Sequence, residues 1–289
     1  MDQRIVELYD RFTHDGMSRR EFLDCLAQMA GSIAAAVALL PLLHNDYAKA
    51  AVVAPDDARL AVETASYEAP GGKISGYLAR LKQPARRPAV IVIHENRGLN
   101  PHIQDIARRL AVDGFLAYAV DLLSPLGGTP QDEDKARDMF GQLMADETTA
   151  RLVAAVAFLE THPQSNGKVG VVGFCWGGEF VNRLAVASPD LDAAVAFYGV
   201  QVPAAQVPAI RAPLLLHYAG LDERVNAGIP AFEAALKANN KRYQIHVYPN
   251  VNHAFNNDTS PRYDKAAADL AWSRTVAFLK EYLGAPQRA

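Results

Sequence analysis

Gly173-Phe174-Cys175-Trp176-Gly177-Gly178 places a thiol between two glycine positions, where a buried apolar run gives way to a helical pattern. This is the G-x-nucleophile-x-G arrangement with cysteine in the nucleophile's place. The turn is tight, so side chains two before and two after the nucleophile would collide with neighbouring backbone. The thiol is then presented at a helix N-terminus, where the dipole and free N–H groups favour negative charge. The backbone N–H of Trp176 is a candidate oxyanion donor. A thiolate nucleophile needs a base, and in this type of fold the order along the chain is nucleophile, acid, histidine. Asp222 follows the apolar run Pro213–Tyr218, and His253 follows Tyr243–Tyr248. Both fall in loops at strand ends, so three loops converge on one sheet edge. Singly, Asp222 reads equally well as a helix N-cap, His253 as a surface residue and Cys175 as a buried core thiol. Order and spacing together favour the catalytic reading.

The elements that must position these residues alternate. Leu60–Tyr67 and Lys73–Leu81 read as two edge strands joined through Pro70-Gly71-Gly72. Ala89–His94, Phe115–Asp121, Val169–Phe174, Ala193–Tyr198, Pro213–Tyr218 and Tyr243–Tyr248 read as further strands, several of them continuously apolar. Helical patterns cover Ile103–Asp113, Asp132–Met144, Thr148–His162, Trp176–Ala187, Pro230–Asn239 and Tyr263–Tyr282. Alternation of this kind predicts an α/β fold, a mostly parallel central sheet with helices on both faces. No Pro/Gly/Ser-rich linker divides it, so residues 51–289 are expected to form one domain.

The chain has 289 residues, half of them hydrophobic, with 29 Lys+Arg against 32 Asp+Glu. That balance gives no electrostatic reason to expect nucleic acid as a partner. Two cysteines exclude a disulfide scaffold, and the lack of paired spacing argues against a thiolate zinc motif. His94 and His102 lack a third convergent ligand, so neither metal nor cofactor is expected.

Residues 1–50 form a separate question. Ser18-Arg19-Arg20-Glu21-Phe22-Leu23, the apolar run Ala30–Leu43 of about 14 residues and Ala48-Lys49-Ala50 resemble a twin-arginine export signal. This predicts a periplasmic or exported protein with no integral membrane span. Acidic Asp2, Glu7, Asp10 and Asp15 ahead of the arginines favour the alternative, an uncleaved helical extension on a cytoplasmic protein.

Residues 60–284 resemble the dienelactone hydrolase (carboxymethylenebutenolidase-like) family of α/β-hydrolases, in an N-terminally extended bacterial branch. The likeness is carried by His94-Glu95-Asn96-Arg97-Gly98-Leu99-Asn100, Ser165-Asn166-Gly167-Lys168-Val169-Gly170, the cysteine elbow, Phe197-Tyr198-Gly199, Asp222 and His253. The resemblance implies an α/β-hydrolase fold and a Cys175–Asp222–His253 triad. It makes Glu95 a carboxylate that contacts the resting thiol, and Asn96 the second oxyanion donor. The implied reaction is hydrolysis of a small carboxylic ester or lactone through an acyl-thioester. Of the family's two substrate-carboxylate arginines, one position holds Asn257 and the other Glu133. Arg97 and Arg262 are the candidate substitutes, and Phe140, Tyr198 and Trp176 are candidate pocket walls. The competing readings are a ligand-binding protein without catalysis and a thiol redox sensor.

Overall fold

The computed structural model describes residues 2–14, 16–49 and 51–284. Its centre is an eight-stranded sheet: β1 (Leu60–Ala69), β2 (Gly72–Leu81), β3 (Arg87–Ile93), β4 (Leu116–Val120), β5 (Ser165–Phe174), β6 (Ala193–Phe197), β7 (Leu214–Ala219) and β8 (Tyr243–Tyr248). The order across the sheet is β1-β2-β4-β3-β5-β6-β7-β8. β1 and β2 pair antiparallel, as do β2 and β4, and every later pair is parallel. The strands β3, β4, β6 and β7 are buried along their whole length, as expected of a sheet covered on both faces. The expected α/β class with a mostly parallel sheet is thus what forms. β2 is not an edge strand, since it also pairs with β4.

Three helices precede the sheet: α1 (Gln3–His14), α2 (Arg19–Ala30) and α3 (Ile33–Leu39). α4 (Pro101–Val112), α5 (Glu133–Phe140), α6 (Ala145–Glu160), α7 (Trp176–Ala187), α8 (Glu223–Asn226), α9 (Ile229–Ala238) and α10 (Lys265–Leu283) follow among the strands. Two apolar cores result, one on each face of the sheet. Leu152, Leu184 and Phe232 belong to one, Leu110, Phe255 and Phe278 to the other. α5 ends at Phe140, capped by Gly141, short of the expected Met144.

The N-terminal helices have a small core of their own, in which Phe12 and Phe22 stack at 4.4 Å between ring centroids over Leu26 and Leu43. Ser18 caps α2 through a reciprocal capping box with Glu21, so Arg19 and Arg20 form its first turn. No single described helix is long and apolar enough to cross a membrane; α2 and the residues 33–42 meet at 106°. Asp15 and Ala50, used above in reading the N-terminal charge and the small-residue pattern, lie outside the described residues.

Candidate active site

β5 runs buried into Cys175, and α7 begins at the next residue. The reversal forces Cys175 to φ 56° and ψ −116°, a region costly for a side chain with a Cβ. The glycines around it are sterically required. A Cβ on Gly177 would stand 2.5 Å from the carbonyl oxygens of Ile93 and His94, and one on Gly178 2.6 Å from Phe197 O. Gly173 is packed against Gly177 in the same way, at 2.4 Å. The elbow is tied down by Cys175 N–H donating to Phe197 O at 3.0 Å. As the first residue of α7, Trp176 has an N–H with no acceptor inside the helix.

Asp222 and His253 arrive on loops after β7 and β8. Those loops are joined by backbone hydrogen bonds from Gly220 to Tyr248 O (2.7 Å) and from Leu221 to Val251 O (3.0 Å). Asp222 has a partner for each carboxylate oxygen. Its Oδ1 accepts from Val225 N at 3.2 Å and caps α8, while Oδ2 accepts from His253 Nδ1 at 2.5 Å. Burial opposes ionisation of Asp222, but the charge of His253 and its hydrogen bond outweigh it and hold the carboxyl below its usual range. His253 is buried, and its Nε2 has no hydrogen-bond partner among the described residues.

Glu95 sits just past β3. Its carboxylate accepts from Asn257 Nδ2 at 2.7 Å and from Tyr198 OH at 3.4 Å. The hydrogen-bond partner of the Cys175 thiol is instead His14, with Nε2 at 3.0 Å from Sγ. Asn257, at one of the two positions where an arginine was looked for, thus holds Glu95. Tyr198 joins them with φ 40°, and burial, reinforced by Glu95, pushes its phenol well above the usual range.

Phe140, Trp176 and Tyr198 line a cavity of about 300 Å³ that opens onto Cys175 and Asn96. Arg97 is not part of that wall. It is buried and faces Glu133 at 3.9 Å. Arg262 is committed to Asp10 at 2.8 Å. Arg262 is thus paired with a carboxylate of the chain, while Arg97 only faces one, and Arg97 Nη1 and Arg262 Nε are buried without a hydrogen-bond partner among the described residues. His94 is structural: Nδ1 lies 2.8 Å from Glu95 O, Nε2 accepts from Leu122 N, and the ring stacks on Trp176. His102 is bound to Asp258 at 2.8 Å.

The residue that sequence reasoning passed over is His14. It closes α1, whose other contacts seat that helix on the loops of the site. Asn96 Nδ2 donates to Thr13 O at 2.9 Å, Gln3 Nε2 to Asn252 Oδ1 at 2.7 Å, and Arg137 lies 4.4 Å over the Phe12 ring. The His14 and His253 rings meet edge to face at 4.7 Å. His14 Nδ1 lies 2.9 Å from Asp10 O and 3.3 Å from Asp10 Oδ1. Burial disfavours charge on His14, but the thiol and Asp10 outweigh it and raise its basicity. The Asp10–His14 spacing on one helix face was the available signal. Nothing in the sequence said which domain surface that face would meet.

Residues 74–283 match the model of the dienelactone hydrolase family, and residues 1–32 match a separate model described as YqhI-like. The chain is 34% identical over 249 residues to the "Putative carboxymethylenebutenolidase" of Escherichia coli O157:H7, covering 81% of this chain and 91% of that one. It is 40% identical over 228 residues to Protein usf of Aquifex pyrophilus, covering 75% and 97%. Among solved structures, a dienelactone hydrolase-like promiscuous phosphotriesterase from metagenomic libraries superposes with a TM-score of 0.70. Its identity is 26%, and the match covers 78% of this chain and all (100%) of that one. The elbow, the strand order and these likenesses lead to one conclusion: the chain belongs to the dienelactone hydrolase family of α/β-hydrolases.

Proposed function

We propose that the protein hydrolyses small carboxylic esters or lactones, with Cys175 as nucleophile. The observation that carries this is a thiol held at φ 56° on the N-terminus of α7, in one buried cluster with the Asp222–His253 pair. Its relatives of carboxymethylenebutenolidase name support the same reaction class.

In the proposed reaction, His253 takes the thiol proton, and Asp222 stabilises the resulting imidazolium through Nδ1. Sulfur attacks the carbonyl carbon, and the carbonyl electron pair moves to an oxyanion facing the N–H groups of Trp176 and Asn96. Collapse breaks the C–O bond, and the leaving alkoxide takes the proton from His253. Water then attacks the thioester, His253 again accepts the proton, and the thiolate departs. Glu95, held by Asn257 and Tyr198, supplies a fixed negative charge near the thiol pocket. Neither candidate arginine lines the cavity, and the substrate's acyl group is bound by the walls of Phe140, Trp176 and Tyr198. A substrate anion is not required. Acylation requires the His14 ring to leave Sγ, because the two atoms are in hydrogen-bond contact.

The test is p-nitrophenyl acetate turnover by the wild type and by Cys175→Ala, each checked for folding by circular dichroism. A fall of at least about 10³-fold with loss of the thiol is expected. Turnover retained in folded Cys175→Ala overturns the mechanism. Rapid quench and intact mass should also show a transient acetyl adduct on the wild type.

A further inference from the structure

One donor atom from each of His14, Cys175 and His253 lies within 4.8 Å of the other two. We propose that these three side chains form a binding site for a zinc-class divalent ion, which fastens α1 over the nucleophile. The site is distinct from the hydrolytic reaction, although it borrows two of its residues.

The donor set is a thiolate and two imidazoles, the combination that borderline-soft ions such as Zn²⁺ select. Both imidazoles are prepared for ligation. His253 Nδ1 is fixed by Asp222 at 2.5 Å, and its Nε2 is buried with no partner among the described residues. His14 Nδ1 is fixed by Asp10, and its Nε2 already meets Sγ at 3.0 Å. A carboxylate behind His253, and a backbone carbonyl with a carboxylate at 3.3 Å behind His14, make the usual outer shell of a zinc site. It sets the tautomer that leaves Nε2 free and raises its basicity. The buried Asp222 carboxylate and one thiolate offset the charge of a divalent ion, while the half-buried Asp10 is shared with Arg262 at 2.8 Å.

The dimensions are compatible. Bond lengths of about 2.3 Å to sulfur and about 2.0 Å to nitrogen put tetrahedral donors roughly 3.5 Å apart. The observed donors lie within 4.8 Å of one another, so loading closes the widest separation by no more than about 1.3 Å. Cys175 and His14 both line the cavity of about 300 Å³, which would leave room for a fourth donor. A water or an anionic ligand completes the shell there. With the ion bound, the thiolate's charge is drawn onto the metal and Sγ is a weaker nucleophile, so the loaded form is a resting form.

The site exists only in a chain that keeps α1, so intact mass of the purified protein comes first. The reduced, metal-free full chain is then titrated anaerobically with Co²⁺, followed by Zn²⁺. One Co²⁺ per chain is expected, with a thiolate-to-cobalt charge-transfer band and the intense visible bands of a tetrahedral site, all erased by Zn²⁺. Cys175→Ser should abolish the charge-transfer band. His14→Ala should weaken binding on the order of 100-fold, and Asp10→Asn about 10-fold. Far-UV circular dichroism confirms that each variant is folded. A wild type with no charge-transfer band overturns the site. So does an unchanged affinity in folded His14→Ala, which would leave the ion on Cys175 and His253 alone. The spectra need no turnover, so failure of the hydrolytic reading and failure of the metal site are separately visible.

Discussion

The two regions that meet at Cys175 are held in place by different means. The elbow is fixed by backbone. Three glycines permit approaches that no Cβ could survive, and the hydrogen bond from Cys175 N–H to Phe197 O pins the turn to the next strand. The N-terminal layer of α1–α3 is fixed by side chains. Its core is a few rings and leucines, and it touches the site through the Thr13, His14, Gln3 and Asp10 contacts. A region locked by sterics has one arrangement. A region docked by side-chain hydrogen bonds, ion pairs and ring contacts depends on many individually small terms. Under the reading proposed above, the thiol is fixed by the backbone and covered by a helix that only side chains hold.

The comparison can be broken most sharply at the chemical pair. Asp222→Asn should lower kcat for p-nitrophenyl acetate on the order of 10²–10⁴-fold while the fold persists. The same change removes the anion behind His253 without touching α1, and a variant as active as wild type would refute the role given to the pair.

Next in size is the elbow itself. Gly177→Ala forces a Cβ against Ile93 O and His94 O and should cost about 3 kcal/mol in denaturant unfolding. A variant of unchanged stability would mean that the turn has slack.

The cover should respond more gently. Phe22→Ala removes a ring that is 1% exposed and stacked on Phe12, at a local cost of about 3 kcal/mol. Iodoacetamide modification of Cys175 should then speed up roughly 10-fold as the docked state loses population. An unchanged alkylation rate would show that α1 does not limit access to the thiol.

The smallest effect concerns the loop that carries His253. Asp258 ties that loop to α4 through His102 at 2.8 Å and through Arg109. Burial works against its ionisation, but His102 and Arg109 prevail and hold its carboxyl below the usual range. A lowered folded-state value stabilises above the ordinary carboxylate range, and that gain fades as pH falls through it. Asp258→Asn should therefore cost about 2 kcal/mol at pH 7, with the difference from wild type shrinking below about pH 4. A gap independent of pH would assign the loss to packing rather than charge.

Reading the sequence went furthest where function depends on local chain geometry. The elbow glycines, the apolar strands and the order Cys175, Asp222, His253 were legible because each follows from short-range sterics or from strand–loop alternation. Trp176–Ala187 and Tyr243–Tyr248 form with the bounds their patterns implied. The α5 boundary was missed because the helical pattern runs on past Gly141, while the structure turns at that residue.

The partners of the site residues were another matter. Glu95 was expected on the thiol by resemblance, and it meets Asn257 and Tyr198 instead. Arg97 was a candidate substrate anchor, and it is buried facing Glu133. Such pairings depend on which loops share a sheet edge, and spacing along the chain carries no record of that.

The sequence by itself determined the sheet, the elbow and the identity of the nucleophile candidate, because strand periodicity and glycine sterics act between near neighbours. Only the tertiary structure decided that His14, which lies 161 positions from Cys175 along the chain, comes to rest on its sulfur. An amphipathic helix declares that it must dock somewhere. Where it docks is settled by the shape and charge of a surface that exists only after the sheet has formed.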